Sequence, residues 1–365
     1  CFLKIKIADL DGGKIPMQID QITSSLNYED GSTNIIINMQ KILKLMGFNS
    51  NIYVEDSKPQ LVFETLDCNL LKDNIDGIIY HFLPTSKSSC PIQDLNTKLK
   101  IMYCHTITPI NNFSDYYRKI LHARGKEKLK SLKNTIDLVI TNSRSSKHEL
   151  NDLGYQRIIV LPPPINLKDY AREPNPHLLE MYKDDYTNIL FVGEISSNNR
   201  QLDILNVFNY YHKRINRKSR LFFIGNYLGH MSYYRKIIEL MNELHIHNVF
   251  ITGLVSFTQL LAYYRLSDVF LSMSEHTEYF TPLIEAIHFR VPVIAYHSSV
   301  AQEIMGEAGE WIVDKDVREV SRIIDQVVSD KKKRRELILR QSKKIVDYHP
   351  DRIISLYKEA IKNFF

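Results

Sequence analysis

The sequence has 365 residues, of which 44% are hydrophobic and 24% are charged, the balance of an ordinary globular protein. This length exceeds what one hydrophobic core organises and predicts two domains of about 150 to 200 residues each. The formal net charge is a mildly basic +5, and no run approaches the about 18 consecutive apolar residues of a transmembrane span, so we exclude a membrane-spanning protein.

Short apolar runs alternate along the chain with longer segments of helical periodicity. The runs predict strands at 77–82, 99–105, 137–143, 188–193, 220–225, 248–253, 268–274 and 291–296. The segments between them predict helices near 33–46, 143–153, 201–214, 232–244, 257–266 and 316–330, with a final helix over about 350–363. Ser32 or Thr33 is the expected cap of the first helix, and Gly47 its end. The alternation predicts an α/β fold with parallel, doubly wound sheets.

A proline-rich stretch divides this pattern into two Rossmann-like halves. Residues 161–179 hold five of the 13 prolines, and proline fixes φ and removes a backbone donor, so we expect an extended connector. We predict a first domain over residues 1–165 and a second over 166–348, with residues 349–365 packing back on the first. Two such domains face each other across a cleft, with ligands at the carboxyl ends of the strands.

The four cysteines stand at positions 1, 68, 90 and 104, with neither a C-x-x-C pair nor a regular framework. We therefore expect buried thiols in a reducing, cytoplasmic compartment, and neither structural zinc nor a disulfide scaffold. The chain begins with Cys1 and not with methionine, which is compatible with a fragment of a longer protein. A membrane-associated location and a secreted effector stay open as alternatives.

Two segments concentrate the basic charge. The first holds Arg118, Lys119, Arg124, Lys126, Lys128, Lys130 and Lys133, and the second holds Lys331, Lys332, Lys333, Arg334 and Arg335. They are interpreted either as solvated helix faces or as peripheral contacts with an anionic membrane surface. Nucleic acid is not an expected partner, because neither segment is interleaved with stacking aromatic residues in a known motif.

Residues 188–314 resemble, in unbroken order, the donor half of the retaining GT-B glycosyltransferases of family 4, the group 1 glycosyltransferases. The motifs that carry the resemblance are "VGEISSNNRQLDIL", "RLFFIGN" and "SEHTEYFTPLIEAIHFRVPVIAYHSS". A weaker resemblance to the acceptor half of bacterial members that build surface glycans covers "YHFLPTS", "YCHTITPI" and "NSRSSKHELNDLGY". The resemblance implies a GT-B fold with two Rossmann-like domains facing across a cleft.

The same resemblance implies an enzyme, a retaining hexosyltransferase. It would move a sugar from a GDP- or UDP-sugar to a glycan, lipid or protein acceptor, with the nucleotide-sugar as co-substrate and no other cofactor. No cluster of Asp, Glu or His has the spacing of metal ligands, so metal-independent transfer is expected. The protein would hold the nucleotide, orient the sugar and neutralise the diphosphate as it leaves.

Two glutamates of the donor motif carry the sharpest predictions. Glu285 matches the family's second glutamate, which holds the ribose hydroxyls, although a carboxylate near a helix start is also an ordinary structural feature. The family leaves seven residues between its two glutamates, and this spacing puts Thr277 at the first position. Either a one-residue deletion makes Glu278 the sugar-binding acid, or Thr277 has replaced that acid. Substrate binding is also predicted for three residues near Glu285, namely Thr281, Pro282 and Leu283.

The diphosphate-binding cations of the family are largely replaced here. After Gly193 the family has an arginine where this chain has Glu194, and the following lysine corresponds to Asn199, or to Arg200 if the loop is one residue longer. Glu194 must point away from the diphosphate, pair with Arg200, or mark a weakened enzyme. We predict that Gly193, Asn199 and Arg200 bind substrate and that Arg200 also acts in catalysis.

Fewer candidates lie in the first half. Gly31 and Ser32 precede the first long helix, where free amide groups favour an anion, although an ordinary turn and cap fits equally well. His105 follows a strand at the place where this fold commonly has a histidine facing the donor sugar, and His81 is the next candidate.

Glu303, in the second half, lies at a position that the family uses near the nucleotide or as a helix anchor.

Two further classes of function stay open at this point. Glu194, Asn199 and Thr277 favour a degenerate GT-B module that binds a nucleotide-sugar or a partner protein without efficient turnover. The chain could also be the sugar-transfer module of a larger effector that modifies a protein.

Overall fold

A computed structural model of the chain describes residues 17–26, 31–56, 64–83, 92–105, 116–275 and 281–362. The strands of the first half are β1 (Ile19–Ser25), β2 (Ile52–Asp56), β3 (Leu66–Asp67), β4 (Gly77–Phe82), β5 (Leu99–Cys104), β6 (Leu138–Thr141) and β7 (Ile158–Val160). They form one parallel sheet in the order β3-β2-β1-β4-β5-β6-β7.

The second half has the same architecture. Its strands are β8 (Thr187–Val192), β9 (Ser219–Ile224), β10 (Val249–Gly253), β11 (Val269–Ser272), β12 (Val293–Tyr296) and β13 (Glu310–Ile312). They form a second parallel sheet in the order β10-β9-β8-β11-β12-β13. The strand order reverses between β1 and β4 in one sheet and between β8 and β11 in the other. Ligands of open α/β sheets bind at such reversals, beyond the carboxyl ends of the strands.

Helices connect the strands of both sheets. Those of the first half are α1 (Gly31–Leu45), α2 (Tyr116–Leu132) and α3 (Arg144–Asp152). The remaining helices are α4 (Pro176–Met181), α5 (Gln201–Tyr210), α6 (Met231–Glu243), α7 (Phe257–Leu266), α8 (Thr281–His288), α9 (Ser299–Met305), α10 (Val317–Ser329), α11 (Lys331–Lys344) and α12 (Pro350–Lys362). In the described ranges, no helix is both long enough and apolar enough to cross a bilayer.

Apolar strands buried on both faces organise the core of the second half. Phe191, Phe222 and Phe270 on neighbouring strands have no exposed surface, as parallel strands covered by helices require. The final helix belongs instead to the core of the first half, where Ile353 and Tyr357 pack with Ile79. The predicted α/β class and doubly wound sheets are confirmed.

Some local predictions were wrong. Helix α1 begins at Gly31, so Ser32 and Thr33 lie inside its first turn and do not cap it from outside. The connector has neither helix nor strand over residues 161–166, but it is not extended throughout, because a 3-10 turn (Leu167–Ala171) and α4 follow. Asn166 and Asn175 start these two elements by accepting backbone hydrogen bonds with their side chains. The domain boundary after residue 165 stays a prediction.

Candidate active site

One hydrogen bond joins the two halves beyond the carboxyl ends of β6 and β12. Oε2 of Glu303, on the helix after β12, accepts from the backbone N–H of Arg144 at 2.8 Å. Arg144 opens α3, the helix after β6, and an anion near a helix N-terminus is favoured by the helix dipole. This contact matches the helix-anchor interpretation of Glu303.

Asn199 ties two loops together at the reversal point of the second sheet. Its buried amide nitrogen donates to the carbonyl oxygen of Glu194 at 2.7 Å, and its amide oxygen accepts from the hydroxyl of Ser274 at 3.0 Å. Both ends of the amide are therefore engaged within the protein. The loops after β8 and β11 are fixed to each other at the place where a donor is expected, and direct binding by Asn199 stays a prediction.

Arg200 and a residue that sequence reasoning missed, Lys315, converge on one carboxylate. Nη2 of Arg200 lies 2.6 Å from Oε2 of Glu275, and Nζ of Lys315 lies 2.6 Å from Oε1. Asp203 completes the cluster, 3.9 Å from Arg200 Nε and 3.8 Å from Lys315 Nζ. Burial opposes ionisation of Glu275, but hydrogen bonds from Lys315 and Arg200 outweigh it and lower its pKa. Two cations thus stand beside the reversal between β8 and β11.

Glu194 does not pair with Arg200. Its Oε1 atom lies 3.0 Å from Nε2 of His230, and Arg200 is engaged by Glu275 instead. Of the three interpretations offered for Glu194, pairing with Arg200 is therefore wrong, and the other two stay predictions.

Glu285 lies in the second turn of α8 and is 7% exposed. Its Oε1 accepts from the hydroxyl of Tyr170 and its Oε2 from the hydroxyl of Tyr264, each at 2.6 Å. Burial raises its pKa despite these two hydrogen bonds. A carboxylate has about four lone-pair sites, so capacity for a ribose hydroxyl remains and the predicted role stays a prediction. Nothing in the local sequence indicates the two tyrosines.

Gly193 meets Gly225 at a close backbone approach. Both residues have a φ of 150°, and a Cβ on Gly225 would lie 2.0 Å from the carbonyl oxygen of Gly193. Glycine is therefore required at position 225 so that the loops after β8 and β9 can touch. The predicted contact of Gly193 with substrate stays a prediction, and its φ of 150° is a backbone conformation that favours glycine.

At the start of α8, Thr281 and Pro282 are partly exposed, whereas Leu283 is fully buried in the hydrophobic core. Substrate binding by these three residues stays a prediction. Thr277 and Glu278 lie outside the described residues.

In the first half, His105 follows β5 and is 5% exposed. Its Nε2 lies 3.3 Å from Nδ1 of His81, and burial lowers its pKa to about 3. Gly31 is exposed at the start of α1, and no described atom lies within 4 Å of a Cβ built on it. No close approach of the described chain therefore explains this glycine, and ligand contact at Gly31 or Ser32 stays a prediction.

Among the residues that the structure describes, no group of three or more His, Cys, Asp and Glu side chains is placed to hold a metal ion.

Comparisons with known proteins match this architecture. Residues 181–344 match the family model described as glycosyl transferases group 1. A search of curated proteins finds no match. Sucrose-phosphate synthase from Thermosynechococcus elongatus superimposes with a TM-score of 0.77 at 14% identity, over 96% of this chain and 99% of that one. Anabaena Alr3699/HepE in complex with UDP-glucose superimposes with a TM-score of 0.69 at 14% identity, over 95% of this chain and 100% of that one.

A third similar structure is described as trehalose-6-phosphate from E. coli bound with UDP-2-fluoro glucose. It superimposes with a TM-score of 0.71 at 11% identity, over 95% of this chain and 98% of that one. At these identities the likeness establishes the fold.

Proposed function

We propose that the protein is a retaining hexosyltransferase, because residues 181–344 match the family model described as glycosyl transferases group 1 and the whole chain has the GT-B fold. It transfers a sugar from a nucleotide-sugar to a glycan, lipid or protein acceptor. The family match carries this proposal, because it covers the sheet whose carboxyl edge holds Arg200, Glu275 and Lys315.

The diphosphate of the donor is bound by Arg200 and Lys315. Both cations already contact one carboxylate, Glu275, so their charged ends lie close enough together to bind one diphosphate. A diphosphate carries more negative charge than a carboxylate and offers more acceptor oxygens, so it competes with Glu275 for both cations. The pair thereby takes the place of the cations that the family resemblance leads one to expect at Glu194 and Asn199.

Transfer on one face of the sugar requires that the leaving phosphate be neutralised where it forms. Fixed cations beside the reversal between β8 and β11 stabilise that developing charge without reorganisation. We propose that no metal ion takes part. Chelator is then expected to leave the activity unchanged, and a strict requirement for manganese or magnesium would contradict this mechanism.

UDP-sugars are the first donors to test, because two of the similar structures are described with UDP-glucose and UDP-2-fluoro glucose. GDP-sugars remain in the proposal. The basic start of α11, Lys331 to Arg335, is one candidate contact with an anionic membrane surface at the cytoplasmic face. Sedimentation with anionic and neutral vesicles tests that contact separately from transfer.

A second candidate function is binding of a nucleotide-sugar without turnover. The observation that favours it is Asn199, whose amide is engaged by Glu194 and Ser274 where the family has a free lysine. Such a module would keep the affinity for nucleotide while lacking stabilisation of the leaving group.

One experiment separates the two candidates. The purified chain is incubated with a panel of UDP- and GDP-sugars, and nucleotide release is followed without acceptor, since slow hydrolysis needs only water. Calorimetric titration with UDP and GDP measures binding on the same samples. Release of nucleotide from one donor supports the transferase, whereas binding without release supports the non-catalytic module. If no nucleotide bound and none were released, both candidate functions would be contradicted.

A further inference from the structure

Three polar side chains form a buried row below the carboxyl edge of the first sheet. They are Gln21 on β1, His81 on β4 and His105 after β5, and their exposed fractions are 0%, 1% and 5%. Strands β1 and β4 are the neighbours at which the strand order reverses. A buried polar atom without a hydrogen-bond partner costs about 1–3 kcal/mol. The hydrogen-bond partners in this row therefore determine which nitrogen of each imidazole carries the proton.

Both imidazoles are neutral near pH 7. Burial lowers the pKa of His105 to about 3 and that of His81 well below its ordinary value. A neutral imidazole has one nitrogen that donates and one that accepts. Because Nδ1 of His81 lies 3.3 Å from Nε2 of His105, one of these two nitrogens donates to the other. The partner at Nε2 of His81 therefore decides the direction of the whole row.

That partner is the side-chain amide of Gln21, which lies 2.8 Å from Nε2 of His81. With the amide nitrogen in this position, it also donates to the carbonyl oxygen of Ile36 at 3.2 Å, and the amide oxygen accepts from the backbone N–H of Gln40 at 3.2 Å. In the opposite orientation, the amide oxygen would face the carbonyl oxygen of Ile36, and the amide nitrogen would face the backbone N–H of Gln40. Both contacts would be repulsive. The backbone of α1 thus orients Gln21 as a donor to His81.

We propose that Gln21 and His81 are positioning residues that preset His105 in its Nδ1–H tautomer, so that His105 presents a neutral hydrogen-bond donor to an oxygen of the donor sugar. Gln21 donates to His81 Nε2, His81 donates through Nδ1 to His105 Nε2, and His105 keeps its proton on Nδ1. The identity of the ligand as a sugar rests on the proposed function, whereas the tautomer does not.

This arrangement limits what His105 does in the reaction. In the described part of the chain, its ring forms its hydrogen bond through Nε2, which leaves Nδ1 for a ligand. The lone pair of Nε2 is taken by His81, so His105 has no free lone pair with which to act as a base. It orients a sugar oxygen by donating to it, and transfer needs no proton from it.

The test is a nuclear magnetic resonance measurement of the ring nitrogens in protein carrying ¹⁵N-labelled histidine. The chain has 13 histidines, so the spectra of His81→Asn and His105→Asn assign the two signals. The expected result is that both rings carry their proton on Nδ1 at neutral pH. A proton on Nε2 of His105, or a doubly protonated ring, would overturn the proposal. The two variants serve only for assignment, and the tautomers are determined in the unaltered protein.

Gln21→Glu then reverses the row. At about pH 8, far above the ordinary glutamate pKa, the carboxylate accepts from His81, and both histidines are expected to move their proton to Nε2. Gln40→Glu is the matched control, since its side chain donates to the carbonyl of Ser50 and takes no part in the row. Gln21→Met, which neither donates nor accepts, is expected to yield both tautomers. An unchanged Nδ1–H signal in both Gln21 variants would refute the role of Gln21.

Nucleotide release separates this inference from the proposed function. Gln21→Glu is expected to slow release from the nucleotide-sugar about tenfold, about 1.4 kcal/mol, while UDP binding is unchanged, because UDP has no sugar to orient. If His105 has the predicted tautomer but the protein releases no nucleotide, the inference about the row is supported and the proposed transferase activity is contradicted. If nucleotide is released but His105 carries its proton on Nε2, the transferase activity is supported and the inference about the row is contradicted.

Discussion

The hydroxyl of Tyr170 donates a 2.6 Å hydrogen bond to Oε1 of Glu285, across 115 positions of sequence. The segment that leads out of the first half is thereby bound to the acid for which a ribose contact is predicted. Tyr264 holds the other carboxylate oxygen at the same distance. Glu285 is therefore positioned before any nucleotide arrives.

Tyr170→Phe is expected to destabilise the protein by about 1–3 kcal/mol, because a buried carboxylate oxygen loses its donor while the ring packing is kept. The free energy of unfolding from urea titration measures the change. Tyr210→Phe, at a partly exposed position on α5, is the control and should be neutral. Equal stability of the two variants would show that the Tyr170 hydrogen bond contributes nothing.

The raised pKa of Glu285 predicts a stability that falls as pH rises. In the unfolded chain the carboxyl releases its proton near its ordinary value of 4.5, whereas in the folded protein it does so at a higher pH. Between these values the folded state binds more protons, so the free energy of unfolding decreases as pH increases. Glu285→Gln should remove this part of the slope above pH 4.5. If the free energy of unfolding had the same pH dependence in wild type and variant, Glu285 would not be the source of this slope.

Glu275→Gln should strengthen binding of UDP or GDP by about three- to tenfold, up to about 1.4 kcal/mol, because Arg200 and Lys315 lose the nearer of the two carboxylates that compete for them, while Asp203 remains. Isothermal titration measures the affinity. Glu307→Gln, which removes one negative charge at an exposed position, controls for the change in net charge. Weaker binding in Glu275→Gln would mean that Glu275 positions the cations for the diphosphate instead of competing with it.

The two interpretations of the shortened loop make opposite predictions. If Glu278 contacts the sugar, Glu278→Gln lowers transfer or donor hydrolysis by about 10- to 100-fold, about 1.4 to 2.7 kcal/mol, and leaves UDP binding unchanged. Thr277→Glu then has no benefit. If Thr277 has replaced the family's acid, Thr277→Glu increases turnover and Glu278→Gln is silent. Steady-state rates and UDP titrations on both variants decide between them.

The sequence predicted most of the apolar strands, missed the apolar but three-residue β7, and missed strands that contain polar residues, such as β1. Strand β4, "GIIYHF", was predicted with its observed ends because helices cover both of its faces. Strand β1, "IDQITSS", was missed, because its polar residues are buried by hydrogen bonding: Asp20 accepts from the Asn51 N–H, and Gln21 contacts His81. An apolar pattern cannot reveal a strand whose interior positions are satisfied by partners distant in sequence.

The candidate site was predicted in the same uneven way. Arg200 and Glu285 were predicted from the resemblance to the family's donor motifs, and the structure places Arg200 in the connection after β8 and Glu285 in α8. Lys315 was missed because a single lysine after a short strand has no local signal, and only the fold brings it to Glu275. Tertiary contacts of this kind depend on the order of the strands, which the residues around Lys315 do not encode.

Asp169 and Tyr170 are neighbours in the chain, yet they bind to opposite halves of the molecule. Asp169 pairs at 3.3 Å with Lys41 on α1, both side chains being substantially exposed, and such surface pairs contribute only about 0–1 kcal/mol. Tyr170 is buried and bound to Glu285. A hinge rotation of one half against the other would therefore break the weak pair first and carry the 3-10 turn along with the second half. The pivot of this connection would then lie before Leu167, in residues 161–166, where three consecutive prolines restrict the bending to a few backbone angles.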